Sequence, residues 1–263
     1  MNRLPTISLG AAVCLLLVPV VSLAQPGLGA PLNSGDLVVT EFSGQFGIVS
    51  AVIRVDPISG TQTTIERTVT SALPSVIRGV AVDANGDIFV ADVSTPGKIV
   101  KVDAATGVVT TFASGGHLQR PVHIVIDKNG DLLVATIGND AIVRVDPVTA
   151  AQTLVTSGGN LVTPTGMVID SNGDLFVADP ALFPQPGKIV RVDLSTGTQT
   201  LITASLGETP RGLVIDPSDG FLIVVDGDAP GIGGVFRVNP ISGAASTLSS
   251  GGIFNNPTAI VTD

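Results

Sequence analysis

One phrase recurs along this chain: GVAVDANGDIFVAD from Gly79, HIVIDKNGDLLVAT from His123, GMVIDSNGDLFVAD from Gly166 and GLVIDPSDGFLIVVD from Gly212. A sequence that repeats at a period of about 45 residues folds as a series of like units, each too small to bury its own apolar faces and stable only against its neighbours. A second phrase follows each copy, as AVIRVDPISG from Ala51, KIVKVDAATG from Lys98, AIVRVDPVTA from Ala141, KIVRVDLSTG from Lys188 and GVFRVNPISG from Gly234. A threonine-rich third phrase completes the unit in TQTTIE, VVTTFAS, AQTLVTS, TQTLITA and AASTLSS.

Each unit predicts four short strands, because β-branched and apolar residues dominate the phrases and turn chemistry separates them. Asn85-Gly86, Asn129-Gly130 and Asn172-Gly173 supply a tight turn after the first strand, where positive φ is tolerated. The pattern Asp-x-x-Ser/Thr-Gly, clean from Asp56, Asp103 and Asp193, gives the second hairpin a carboxylate for the turn amides and a glycine for the left-handed position. Runs such as DIFVA, DLLVA, DLFVA and FLIVV are apolar at consecutive positions, so both faces of that strand are expected to be covered, as in sheets stacked around an axis. PTAIVTD at the end of the chain matches the start of the first phrase, and NSGDLVVTEF matches its continuation. Pairing Ile260 to Asp263 with Asn33 to Glu41 would restore the missing copy, close a circle and hide edge strands. The expectation is an all-β fold: a single β-propeller over residues 34–263, with five four-stranded blades closed by the C-terminal strand.

The opening MNRLPTISLGAAVCLLLVPVVSLAQ carries one charge, Arg3, then an apolar run, with Ser22 and Ala24 placed for cleavage. It predicts a signal peptide over residues 1–24, a linker over 25–33, and an extracytoplasmic protein, periplasmic or secreted. The rival reading, an uncleaved anchor, meets a run short for a bilayer and broken by Pro19. Lipid attachment at Cys14 would want a small residue where Val13 stands. Cleavage would remove Cys14, the sole cysteine, and with it any internal disulfide. It would also remove Arg3, one of 13 basic residues set against 22 acidic ones. That balance, with scattered lysines, disfavours nucleic acid as a partner. Trp and Tyr are absent and Phe occurs nine times, so stacking platforms for sugars or nucleobases are scarce. The mature chain is expected to be a monomer, free of membrane.

The run P-x-G-x-x-x-D-x-x-G-D-[IL]-x-V-A-D followed by K-I-V-[KR]-V-D resembles the NHL repeat and its relatives, among them virginiamycin B lyase and the SMP-30/gluconolactonase-like propellers. The resemblance covers essentially the whole of residues 34–263. It implies a propeller, commonly of six blades where five are counted here. Gluconolactonase-like enzymes rely on an N-terminal Glu, which Glu41 matches, and on P-N-G and P-D-G contexts; here those places read Pro164-Thr165-Gly166 and Pro210-Arg211-Gly212. The lyase pattern sets His before Gly after a proline, whereas Pro121-Val122-His123 is shifted by one and lacks the Gly.

Candidate chemistry falls on the face that gathers the loops of unequal length, since the opposite face carries the uniform turns. Glu41, Asp92, Thr136, Asp179 and Asp226 end the second strand of successive units. Their four carboxylates would suit Ca²⁺ or another hard divalent cation, or equally would bind loop amides in their own units. The D-x-N-G-D turns resemble a calcium loop but lack the later ligands, and read as turn caps. His123 stands where other copies have Gly79, Gly166, Gly212 and Ala259; with His117 it offers the only imidazoles, for binding or as a general base. Arg78 and Arg211 flank the same level and suit a carboxylate or phosphate. Two functions follow: a non-catalytic propeller binding a protein, peptide or small ligand through Arg78, His117, His123 and Arg211, or a metal-dependent lyase or hydrolase using His123 with Glu41, Asp92, Asp179 and Asp226.

Overall fold

The computed structural model describes residues 14–17, 37–43, 49–56, 61–67, 77–180, 185–203, 206–207, 209–227, 233–251 and 257–260. Among them every regular element is a β-strand, arranged as five antiparallel sheets of four. The first sheet holds β1 (Cys14–Leu17), β2 (Leu37–Ser43), β3 (Val49–Val55) and β4 (Gln62–Arg67). The second holds β5 (Ile77–Val82), β6 (Ile88–Asp92), β7 (Lys98–Val102) and β8 (Val109–Ser114). The third holds β9 (Pro121–Ile126), β10 (Leu132–Thr136), β11 (Ala141–Val145) and β12 (Gln152–Ser157). The fourth holds β13 (Met167–Ile169), β14 (Leu175–Asp179), β15 (Lys188–Val192) and β16 (Gln199–Thr203). The fifth holds β17 (Pro210–Ile215), β18 (Leu222–Asp226), β19 (Gly234–Val238) and β20 (Ala245–Ser250). Within each sheet, chain order is spatial order.

The consecutive apolar runs are buried at every position in β6, β10 and β14. For β10 and β14 the reason is that the strand is covered by the sheet before it and the sheet after it. Ala81, Phe89, Ala91 and Ile99 of the second sheet share a cluster with Leu132, Val134 and Val143 of the third. The other face of the third, through Leu133, Ala135 and Ile142, packs on Leu175, Val177 and Val190 of the fourth. Phe176, Ala178 and Ile189 of the fourth then meet Leu222, Val224 and Val238 of the fifth. Each such Val, Leu, Ile or Phe side chain contributes on the order of 1.5–3 kcal/mol on burial, so the sheets hold one another rather than standing alone.

The turns follow the sequence pattern with one refinement. In Asp83–Asp87 the Gly86 amide donates to the Asp83 carbonyl at 3.0 Å and Asp87 O accepts from the Asp83 amide at 3.0 Å. Gly86, Gly130 and Gly173 take positive φ (87°, 87° and 90°), and their preceding asparagines do not. In the second hairpin, Asp103 Oδ1 accepts from the Thr106 amide at 2.8 Å and from its hydroxyl at 2.7 Å. Gly197 and Gly243 serve twice: both have φ of 71°, and a Cβ at either would stand 2.3 Å from Val155 O or 2.0 Å from Ile202 O of the preceding sheet.

The basic residue of the phrase K-I-V-[KR]-V-D has a fixed task. Lys101 reaches Asp87 at 2.5 Å, Arg144 bridges Asp127 at 2.8 Å and Asp131 at 2.5 Å, Arg191 approaches Asp174 at 3.6 Å, and Arg237 pairs with Asp216 and Asp219. The carboxylates of the calcium-loop-like turns therefore face a cation from the third strand of their own sheet.

The edge of the first sheet differs from expectation. The neighbour of β2 is β1, in register Cys14↔Thr40 to Leu17↔Leu37, where Ile260 to Asp263 had been expected. Residues 257–260 carry no strand and run beside β17, with the Gly212 Cβ direction 2.9 Å from Ala259 Cα; residues 261–263 lie outside the described residues. An extended apolar segment, CLLL, supplies the backbone partners that an open strand edge calls for.

Candidate functional site

In three of the sheets the first strand carries the same irregularity where it begins, at the loop face. In the second sheet Ile77 pairs with Asp92 and Val80 with Val90, so Arg78 and Gly79 together oppose one residue. In the third, Pro121 pairs with Thr136 and His123 with Ala135, leaving Val122 extra. In the fifth, Pro210 pairs with Asp226 and Gly212 with Val225, leaving Arg211 extra. A bulge removes a residue from the in-and-out alternation of the ladder and re-aims its side chain, which is why bulges gather beside binding sites. Two of these three bulges carry arginine.

These first strands lie against one another backbone to backbone. A Cβ on Gly79 would stand 2.6 Å from His123 Cα, and one on Gly166 2.1 Å from Arg211 O. The glycines are what permits the approach. His123 breaks that rule: the residue is half-buried, its Nδ1 is buried with no hydrogen-bond partner, and burial pushes its pKa down to about 4. His117 is exposed on the loop before β9, its amide donating to Gln152 Oε1 at 2.9 Å and its carbonyl accepting from Asn139 Nδ2 at 3.2 Å. The two imidazoles thus occupy unlike environments.

Arg78 is brought together with Arg211 and with Arg120, a residue that the motifs did not single out. Although Arg78 is exposed as a whole residue, its pKa is held below the ordinary value first by partial burial and then by the charges of Arg211 and Arg120. Arg120 is exposed and has φ of 54°, a left-handed conformation uncommon outside glycine. Arg211 is half-buried and its Nε has no hydrogen-bond partner. The signal that would have found Arg120 is positional: each of the three arginines lies within a residue or two of the start of a first strand.

The carboxylates that end the second strands are buried, Asp92 and Asp179 at 0 % exposure and Asp226 at 1 %. Asp92 accepts from the Ser94 amide at 2.9 Å and hydroxyl at 2.5 Å, with Lys98 Nζ at 3.5 Å. Asp179 accepts from the Val162 amide at 2.6 Å and the Thr163 amide at 3.2 Å, and Asp226 from the Thr209 amide at 3.2 Å. Thr136 donates instead, within its own sheet, and lies 2.7 Å from Asn139 Oδ1. Among the described residues no three of His, Cys, Asp or Glu converge as metal ligands. Glu41 sits on β2 opposite Ala51, and its side chain lies outside the described residues. Asp140, nearby, has its pKa raised first by burial and then by Asp179.

No family model matches the chain, and no curated protein matches it. Solved structures do. The nidogen/laminin complex aligns with a TM-score of 0.65 at 22% identity, over 87% of this chain and 82% of that one. Virginiamycin B lyase from Staphylococcus aureus, as the inactive H270A form with quinupristin, aligns at 0.67 and 15% identity over 87% and 71%. A streptogramin B lyase aligns at 0.67 and 16% over 96% and 73%. The chain is a β-propeller. Its four-stranded sheets correspond to blades, and the arginine-bearing bulges stand where the first strands of two of them start.

Proposed function

We propose that this chain is an exported, non-catalytic propeller that binds a protein, peptide or small ligand on its loop face, where the first strands begin. The observation that carries the reading is the contrast between the two ends of those strands. At the turn end, carboxylates, amides and third-strand cations satisfy one another in the second, third and fifth sheets. At the loop end, His123 Nδ1, Thr163 Oγ1 and Arg211 Nε are buried without hydrogen-bond partners. Each such atom costs about 1–3 kcal/mol while unmet, a cost that a ligand's polar groups would offset. Asp92, Asp179 and Asp226, three of the acids that metal chemistry would draw on, are engaged with backbone amides, which supports binding over catalysis. Both classes of structural neighbour are known as complexes, one with laminin and one with quinupristin, so either a protein or a small molecule fits the fold.

The test is a ligand screen on the full chain, small molecules and peptides together, read by thermal shift and mapped by hydrogen exchange. Protection is expected at residues 93–97, 117–123, 137–140, 162–166 and 207–212, with hits recovered chemically unchanged by mass spectrometry. Protection confined to the turns at 84–86, 104–107 and 128–130, or turnover of the hits, would overturn the reading.

A further inference from the structure

Two of the loops that join blades are clamped by the same contact from the following blade. After β8 the chain turns through Gly115-Gly116 and after β12 through Gly158-Gly159, all four at φ between 58° and 63°. The first glycine of each pair donates its amide within its own blade, Gly115 to the Gly97 carbonyl and Gly158 to the Asp140 carbonyl, both at 2.9 Å. The second leaves room for a glutamine: a Cβ on Gly116 would stand 2.7 Å from Gln152 Oε1, and one on Gly159 3.0 Å from Gln199 Oε1. Those glutamines open β12 and β16. Gln152 Oε1 accepts from the His117 amide at 2.9 Å while its Nε2 donates to the Ser114 carbonyl at 3.4 Å. Gln199 Oε1 accepts from the Asn160 amide at 2.7 Å while its Nε2 donates to the Gly158 carbonyl at 3.0 Å. A side-chain amide both accepts and donates, which is what the two ends of such a turn require.

Register fixes the place of this residue in every blade, opposite a valine that ends the third strand: Gln62 with Val55, Val109 with Val102, Gln152 with Val145, Gln199 with Val192 and Ala245 with Val238. A glutamine stands there where the blade before ends in Ser-Gly-Gly, and is missing where that turn is missing. Val109 comes after Arg67-Thr68-Val69, and Ala245 after Thr203-Ala204-Ser205. One turn and one glutamine are left over, at opposite ends of the chain: Ser250-Gly251-Gly252 after β20, and Gln62 at the start of β4. Gly251 already has the geometry of its counterparts, with φ of 67° and its amide donating to the Gly233 carbonyl at 3.0 Å. A second contact points the same way: Ala259 Cα stands 2.9 Å from the Gly212 Cβ direction, as His123 Cα of the following blade stands 2.6 Å from that of Gly79.

We propose that Gln62 is a latch on the Ser250-Gly251-Gly252 turn, so that the first sheet follows the fifth and the propeller closes at its rim, whichever segment takes the inner edge of β2. The Gln62 side chain and residues 252–256 lie outside the described residues. In the latched ring Gln62 Oε1 accepts from the Ile253 amide and its Nε2 donates to the carbonyl of Ser250 or Gly251. The inference goes beyond the binding reading and does not depend on it.

The experiment is cysteine cross-linking of the full chain carrying Cys14→Ser, with a short bismaleimide at high dilution, read by intact mass and peptide mapping. Gln152→Cys with His117→Cys is the reference pair, since that contact is observed, and Gln62→Cys with Asn160→Cys is the unrelated pair. Gln62→Cys with Ile253→Cys should cross-link within one chain as readily as the reference pair, and the unrelated pair should not. A second measurement needs no cysteine. Gln62→Ala should speed amide exchange at Ile253 by about fivefold, as Gln199→Ala should at Asn160, the size expected for one net hydrogen bond. Neither variant should alter the other's turn. Cross-linking of the reference pair without that of 62 and 253, cross-linking of 62 and 253 only between separate chains, or unchanged exchange at Ile253 in Gln62→Ala would overturn the proposal.

Discussion

His123 is the residue at which sequence and structure inform each other most. Its place in a column otherwise filled by glycine and alanine was legible as an exception. The burial of its Nδ1 was not, because that depends on the neighbouring first strands closing to backbone contact, which only the assembled propeller brings about. With its folded pKa near 4, against 6.5 in an unfolded chain, the unfolded state binds more protons between those values. Stability should therefore fall as pH drops from 6.5 to 4, by up to about 3 kcal/mol, and change little from this source above 6.5. Urea unfolding of wild type and His123→Gln at a series of pH values checks this. The variant should lose the slope in that window, and an equal slope in both proteins would show that His123 titrates normally. Asp216, held down to about 2 chiefly by the Ser218 hydroxyl and then by Arg237, titrates below the window and does not confuse the comparison.

At the scale of strands and hairpins, most of the architecture could be read from the phrases, since each encodes a local device. Asp103 caps its own turn, Arg144 clasps Asp127 and Asp131, and Phe89, buried in β6, meets Phe112 edge-on at 5.3 Å. What a phrase does not encode is the neighbour it leans on. The glycine of Asp-x-x-Ser/Thr-Gly reads as a turn residue, yet at Gly197 and Gly243 it is also where one blade touches the last strand of the blade before. The bulges at Arg78 and Arg211 were hidden for a related reason: an extra residue shows only once the partner strand is paired. Gly197→Ala and Gly243→Ala should each destabilise by more than about 2 kcal/mol, joining left-handed strain to a clash with a backbone carbonyl. Gly220→Ala, at φ of 78° but with nothing within 4 Å of the added Cβ, should cost about 1–2 kcal/mol from strain alone. Guanidinium unfolding of the three variants orders them, and equal losses would remove the inter-blade role.

Over the whole molecule, the repeat dictates blades because no unit can cover both faces of its own second strand. Phe176 and Val177 are adjacent in β14 yet pack into different clusters, one with the following blade and one with the preceding blade. The repeat assigned the edge of β2 to the C-terminal segment, but a repeat does not register that a second extended apolar segment competes for the same edge. Cys14–Leu17 takes that edge in the full chain, while Pro257–Ile260 lies beside β17 without joining a sheet. If residues 1–24 are removed as a signal peptide, the edge is vacated, and the segment from 257 onward is the one whose sequence matches the missing first strand. A chain beginning at Gln25 should then show slower amide exchange over residues 258–262 than the full chain does. Its cooperativity of unfolding should be kept or raised, since ring closure ties the first blade to the last. Deleting residues 258–263 should lower the melting temperature far more in the shortened chain than in the full one. Equal sensitivity in both would mean that the two segments do not compete for β2, and that the propeller is closed by contacts elsewhere.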